Sequence, residues 1–205
     1  MSKTLRVAVL ATALLSALTM MASSAGAVTW HNSGDTAFTA TGGVMAFSST
    51  SVSLNCSGSD STGTVTSTPA IGATFVAATM TTQVTGCTVS GSEWPWECKR
   101  TFTGTTYSSG VTNGTFDTTC TMYLGSTPTC ELSGSAPATY TNPVAPSTLG
   151  SFRLPTSTSL RVGNALVTCP LGNGDSFHLA PMIFNISVAT GGPSPHLGPI
   201  ITRTA

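Results

Sequence analysis

The sequence predicts an all-β protein, an antiparallel β-sandwich of the immunoglobulin-like or jelly-roll-like kind, stabilised by disulfide bonds. Many short stretches alternate apolar and polar residues, which is the period of a half-buried strand. Turn signals rich in glycine, asparagine and serine separate these stretches at intervals typical of all-β domains. After residue 27, no segment keeps the apolar period of an α-helix for three turns.

The expected strands follow one another along the chain after residue 36. They cover about residues 37–40, 52–56, 63–66, 74–80, 83–89, 100–107, 114–117, 119–124, 130–134, 150–154, 159–162, 166–169, 176–179 and 182–189. Turns are expected at residues 57–60, Ser109-Gly110, Asn113-Gly114 and residues 172–175, because these residue types favour tight reversals.

Residues 1–27 have the organisation of a secretory signal peptide. Lys3 and Arg6 supply a positive region, residues 7–21 are apolar and uncharged, and Ala25-Gly26-Ala27 offers small residues to signal peptidase. The apolar run is too short to cross a hydrocarbon core about 30 Å thick as a helix. We therefore expect cleavage after Ala27, a secreted or extracellular protein, and no transmembrane segment in the mature chain.

All six cysteines follow the predicted cleavage site. An even number of cysteines in an exported chain is typical of a disulfide framework, although six cysteines allow about 15 pairings. Pairing in sequence order predicts Cys56–Cys87, Cys98–Cys120 and Cys130–Cys169. A structural metal site is the alternative, but it would need closely spaced cysteine pairs, which the chain lacks. We expect neither a metal nor another cofactor.

The chain that follows the signal peptide has the length of one domain. We assign residues 28–190 to a single β-sandwich. Residues 191–205 carry three prolines among glycines and are expected to form a disordered tail. A faint similarity between residues 87–92 and 130–135 leaves open two related β units, at about 28–98 and 99–190.

Charged residues are scarce, at 7% of the chain against about 25% in typical soluble domains. Without Lys3 and Arg6, five basic and seven acidic residues remain, so the expected mature chain has a net charge of −2. A chain without a basic face is not expected to bind nucleic acid. Serine and threonine replace the charges and keep the surface solvated at the cell exterior. Adhesion or ice binding through rows of threonines is the alternative explanation.

The chain contains no G-x-S-x-G, H-E-x-x-H or phosphate-loop motif. His178 follows Asp175 in a strand-like run, so a triad with a serine can be drawn. A chain this rich in serine offers such a triad by chance, and a histidine on the surface of a strand is the simpler interpretation. We therefore predict no catalytic residues, and keep a hydrolase using His178 as an alternative.

Residues 93–97 form the most unusual local sequence, in which Glu93 and Glu97 flank Trp94-Pro95-Trp96. Exposed aromatic rings beside carboxylates would suit a binding site for a carbohydrate or for a hydrophobic ligand. Such a site would consist of Trp94, Trp96, Glu93 and Glu97.

A structural role for the same segment is the favoured interpretation. In this case Trp94 or Trp96 packs in the core beside the Cys98 disulfide. Lys99 and Arg100 would then face Glu93 or Glu97 in surface ion pairs of little energetic value.

Four short segments, at residues 38–42, 52–56, 86–91 and 140–143, are similar to segments of known proteins. They resemble a loosely defined group of bacterial, especially actinobacterial, exported proteins of similar length. Some members are labelled activators of alkane oxidation, and most are labelled only as hypothetical secreted proteins. The resemblance implies an exported, β-rich protein and supplies no catalytic residue. Cys98, Cys120 and the Trp-Pro-Trp sequence depart from the group's commoner pattern.

These observations favour a secreted or cell-surface-associated, non-catalytic structural or interaction protein. A cell-surface polymer and a second copy of the chain are the candidate partners. The alternatives are a ligand-binding module at Trp94 and Trp96, an extracellular hydrolase, and a fibre-forming or adhesive surface protein that associates through threonine-rich edge strands.

Overall fold

The computed structural model describes residues 27–49, 53–66, 68–89, 91–144, 147, 149–155, 158–190 and 198–204. The predicted signal peptide falls on residues 1–27, and all of it except Ala27 lies outside the described residues. Within the described ranges, no helix has the length and hydropathy needed to cross a membrane.

The described part of the chain contains seventeen β-strands. They are β1 (Thr29–Ser33), β2 (Ala37–Thr41), β3 (Met45–Ser48), β4 (Ser53–Cys56), β5 (Gly58–Val65), β6 (Ala70–Ile71), β7 (Phe75–Thr85), β8 (Thr88–Val89), β9 (Ser92–Glu93), β10 (Trp96–Ser108), β11 (Val111–Leu124), β12 (Thr127–Thr141), β13 (Ser151–Leu154), β14 (Thr158–Ala165), β15 (Ser176–Leu179), β16 (Met182–Thr190) and β17 (Ile200–Thr204).

Eight of these strands close into a barrel in the order β11-β10-β7-β5-β2-β16-β13-β12, and β12 pairs back onto β11. Every neighbouring pair in this ring is antiparallel. The prediction of an all-β, disulfide-bonded protein is confirmed. The prediction of a sandwich is wrong, because these strands form one closed ring instead of two facing sheets.

The barrel closes because segments expected to be short strands are long continuous ones. β10, β11 and β12 contain 13, 14 and 15 residues. Strand twist accumulates along such lengths and brings the two edges of the sheet together. Register shifts, including those between Phe102 and Thr103 and between Ile186 and Val188, bend the sheet further.

Four outer strands extend the sheet beyond the barrel. The first part of β12 pairs with β14 and its last part pairs with β13, so the sheet branches at β12. From β14 the sheet continues through β15 and β3 to β4. The Cys56–Cys87 disulfide then joins the last residue of β4 to a cysteine that lies two residues after the end of β7. Strands from both halves of the chain form the ring together, and the relationship between two β units, at about 28–98 and 99–190, stays a prediction.

Two groups of aromatic side chains, besides the stacked Trp30–Phe75 pair, fill the interior. Inside the barrel, the Phe152 ring lies 4.6 Å from that of Tyr140 and 5.5 Å from those of Phe102 and Phe116, measured between ring centroids. Rings at these distances combine large buried areas with favourable tilted or offset contacts. The second group lies between β10 and the outer strands and consists of Phe47, Trp96 and Phe177.

The C-terminal segment is ordered where the structure describes it. β17 pairs with β1 over five residues, and β1 also pairs with β6. The disordered tail predicted for residues 191–205 is therefore wrong for residues 198–204, while residues 191–197 and 205 lie outside the described residues. Composition misled the prediction, because the prolines precede a segment that hydrogen bonds to β1 and to the Asn142 side chain.

The structure contains the disulfides Cys56–Cys87, Cys98–Cys120 and Cys130–Cys169, the pairs expected from sequence order. Cys98 and Cys120 are direct partners in the β10–β11 register. This bridge therefore links two of the three longest strands of the barrel across a 22-residue separation.

Candidate functional site

The Trp-Pro-Trp segment belongs to the core. Trp94 is 8% exposed and Trp96 is 1% exposed, and the Trp96 ring stacks on Phe47 at 4.7 Å. A binding site in which both rings face solvent is therefore wrong. Trp96 is buried because β10 begins at this residue with the side chain in the inward phase, so the aromatic ring serves packing.

The two glutamates of the predicted site do not face the buried rings. Glu93 is exposed, and its Oε1 accepts a hydrogen bond from the Gly86 N–H at 3.3 Å. Glu97 accepts a hydrogen bond from Gln83 Nε2 at 2.9 Å and lies 3.7 Å from the Lys99 ammonium. Both carboxylates thus take part in surface contacts, which contribute little to stability.

Arg100 lies inside the barrel instead of in a surface ion pair, and it is 2% exposed. Its Nη1 donates a hydrogen bond to Thr82 Oγ1 at 2.5 Å, and the Thr82 hydroxyl is 2.9 Å from that of Ser61. Thr118 is directly opposite Arg100 in the β10–β11 register and is also buried. We refer to Ser61, Thr82, Arg100 and Thr118 as the buried polar cluster.

The guanidinium of Arg100 lacks a carboxylate partner among the described residues. Its Nε and Nη2 and the Thr118 hydroxyl make no hydrogen bond with the described residues. The guanidinium carbon lies 5.0 Å from the centre of the Phe184 ring, a favourable cation–π distance. Burial lowers the pKa of Arg100 to about 10, which still leaves the side chain positively charged at neutral pH.

The sequence contained a signal for this position. Trp96, Cys98, Arg100 and Phe102 occur at every second residue of one strand, so a period of two places all four on the same face. Three of the four are typical core residues, and the arginine shares their phase. The charge of Arg100 predicts a surface position, whereas the alternation of its neighbours predicts the buried position that the structure has.

A shallow groove of about 460 Å³ crosses the outside of the barrel. Five threonines line it, and we refer to them as the threonine face. They are Thr62 and Thr64 on β5, Thr79 and Thr81 on β7, and Thr101 on β10. Lys99 also lines the groove.

The strand register arranges the threonine face in two rows. Thr62, Thr81 and Lys99 are successive cross-strand partners, and so are Thr64, Thr79 and Thr101. The hydroxyls of Thr64 and Thr79 are 3.2 Å apart and form a hydrogen bond. Neighbouring strands lie about 4.8 Å apart and alternate residues of a strand about 6.8 Å apart, so the hydroxyls form a regular two-dimensional array.

His178 lies on the exposed side of β15, where its register partners are Ser48 and Ser159. The Asp175 carboxylate accepts a hydrogen bond from the Gly172 N–H at 2.8 Å. Among the described residues, no hydrogen bond or ion pair joins Asp175 to His178. The structure does not assemble these residues into the triad that a hydrolase would need.

The described residues contain no group of three or more histidine, cysteine, aspartate or glutamate side chains suited to hold a metal ion. No family model, curated protein or solved structure matches the chain. The resemblance to actinobacterial exported proteins therefore stays a prediction.

Proposed function

We propose that this chain is a secreted or cell-surface, non-catalytic interaction domain that binds a neutral, hydroxyl-rich polymer through the threonine face. The observation that supports the proposal is the ordered double row of hydroxyls in the groove. Each threonine hydroxyl can donate and accept a hydrogen bond, as each sugar hydroxyl can. A repeating array suits a repeating polymer better than it suits a single small molecule.

The charge of the groove favours a neutral ligand. Lys99 is the one charged side chain exposed among the lining residues, and its ammonium lies 3.7 Å from Glu97. This ion pair reduces the attraction that Lys99 would exert on an anionic polymer. The groove also lacks exposed aromatic rings among its lining residues, so we expect weak binding, with a Kd on the order of 1 mM for a short oligosaccharide.

The closed ring counts against fibre formation through free barrel edges. Each of the eight barrel strands has a hydrogen-bonded neighbour on both sides. Edge-to-edge association of the kind that builds fibres requires exposed, unpaired strand edges, and closure removes them from the ring.

Amide chemical-shift mapping tests the proposed function. Maltohexaose, cellohexaose and xylohexaose would be titrated separately into the labelled protein. We expect at least one of them to shift the amides of β5, β7 and β10 around the threonine face. If all three leave these amides unchanged, or shift only amides elsewhere, the proposal is wrong.

Variants then assign the binding to hydroxyl groups. Thr79→Val combined with Thr81→Val keeps the β-branched shape and removes two hydroxyls from the groove. Because each lost hydrogen bond costs about 0.5–1.5 kcal/mol, we expect about tenfold weaker binding. Thr127→Val, at an exposed position of the β11–β12 hairpin, is the matched control and is expected to bind normally. Unchanged binding by the double variant would exclude the threonine face.

A further inference from the structure

The buried polar cluster presents hydrogen-bond donors to a site inside the barrel. Arg100 Nε and Nη2 are buried donors without a hydrogen-bond partner among the described residues. The hydroxyl of Thr118, the register partner of Arg100 on β11, is also buried and also has no partner among these residues. A buried donor without a partner lowers the stability of the native state, and a charged donor lowers it more. Folded proteins therefore almost always supply a partner to such groups.

The missing partner of this cluster must carry negative charge if the interior is to be neutral. Arg100 keeps its charge at neutral pH, and no carboxylate of the described residues forms an ion pair with it. Buried charges in folded proteins are as a rule paired, because an isolated buried charge is costly. Phe184 and the Thr82 hydroxyl contact the guanidinium but neutralise no charge.

The surroundings limit the size of the partner. Along β10, the inward neighbours of Arg100 are Cys98, which is bonded to Cys120, and Phe102, which packs on Phe116. All four side chains are buried. A large organic anion would need a wide opening between these layers, so the partner must be small.

We propose that Arg100 and Thr118 bind a small monovalent inorganic anion, of the halide class, inside the barrel. The donors would be Nε and Nη2 of Arg100 and the hydroxyl of Thr118. The ion would enter as the chain folds, and the affinity of the site would add to the stability of the native state. This site is separate from the threonine face, which lies on the outside of the barrel.

Crystals of the unmodified protein refolded in sodium bromide give the direct test. Refolding should start from urea, because guanidinium chloride would supply a competing halide. We expect an anomalous bromide peak within hydrogen-bond distance of Arg100 Nε or Nη2. Density for water alone at these nitrogens, without an anomalous peak, would overturn the proposal.

Thermal unfolding at constant ionic strength gives the linked energetic test. When the bromide concentration exceeds the Kd of the site, each tenfold increase in bromide raises the free energy of unfolding by about 1.4 kcal/mol by mass action. This increase corresponds to a rise of about 3–6 °C in Tm for a chain of this size. Arg100→Met should abolish this dependence. Arg161→Met, which changes an exposed arginine, should retain it and so controls for general salt effects. If Arg100→Met does not fold, Thr118→Val should reduce the dependence. A flat Tm in the unmodified protein, or an equal slope in Arg100→Met and Arg161→Met, would overturn the proposal.

Discussion

Asn142 is predicted to hold the C-terminal strand on the barrel, and Asn142→Ala tests this role. The side chain is 8% exposed. Its Nδ2 donates a hydrogen bond to the Ile201 carbonyl at 2.8 Å, and its Oδ1 accepts one from the Ile201 N–H at 2.9 Å. Ile201 is fully buried, so alanine at position 142 would leave one backbone donor and one backbone acceptor without partners.

The expected cost follows from these two groups. A buried polar group left unpaired costs about 1–3 kcal/mol. With two such groups, we expect Asn142→Ala to lower the free energy of unfolding by about 2–4 kcal/mol. The loss stays below the full sum for both groups because β17 can separate locally from the barrel. Amide hydrogen exchange in β17 should become at least about 30-fold faster, the factor that corresponds to about 2 kcal/mol.

Urea unfolding and residue-resolved hydrogen exchange measure the two quantities. Asn113→Ala is the matched control, because the exposed Asn113 side chain donates one hydrogen bond to Thr106 Oγ1. The control should change stability by less than about 0.5 kcal/mol. If Asn142→Ala behaves like this control in both measurements, the role of Asn142 as the anchor of β17 is refuted.

Three further predictions concern the core. The Tyr140 hydroxyl donates a hydrogen bond to the Pro199 carbonyl, and burial raises the pKa of this hydroxyl. The stabilising contribution of the protonated Tyr140 is therefore complete below pH about 10, the pKa of tyrosine in the unfolded chain, and falls as the pH rises. Tyr140→Phe should flatten the alkaline decline in urea stability, and an unchanged decline would refute this. Replacing Cys98 and Cys120 together by alanine should cost about 3 kcal/mol by the loop-entropy model, and a calorimetric loss below 1 kcal/mol would contradict it. Phe47→Ala should cost about 3–5 kcal/mol and shift the tryptophan emission to the red, because Phe47 stacks on Trp96; unchanged emission would contradict this.

The sequence was sufficient to predict strands wherever their alternation was regular. The Ser109-Gly110 turn is present between β10 and β11, with positive φ at both residues. The Asn113-Gly114 turn is absent, since both residues lie inside β11. A Cβ on Gly114 would approach the Thr103 carbonyl oxygen to 2.0 Å, so this glycine permits close strand contact instead of a reversal.

Closure of the ring could not be predicted from local pattern, and the local pattern gave conflicting indications for the buried charge. Closure depends on which distant strands pair, as when β2 near the N-terminus pairs with β16. The alternation of β10 indicated that Arg100 shares a face with Trp96 and Phe102, but its charge suggested the opposite. Period and charge conflicted at this one residue, and local conflicts of this kind are expected at functional positions.

Closure of the barrel is the central structural claim, because it removes the free edges of the ring and encloses Arg100. The shortest strand pairings in the ring are those of β13 with β12 and with β16. In them, Phe152 is the register partner of Tyr140 on β12 and of Phe184 on β16. Cross-strand backbone NOEs measured by NMR across these two strand pairings test closure directly. We predict NOEs from residue 152 to both partners. If they are absent on either side while the other strand pairings of the ring give theirs, the sheet is open and the claim of a closed barrel is contradicted.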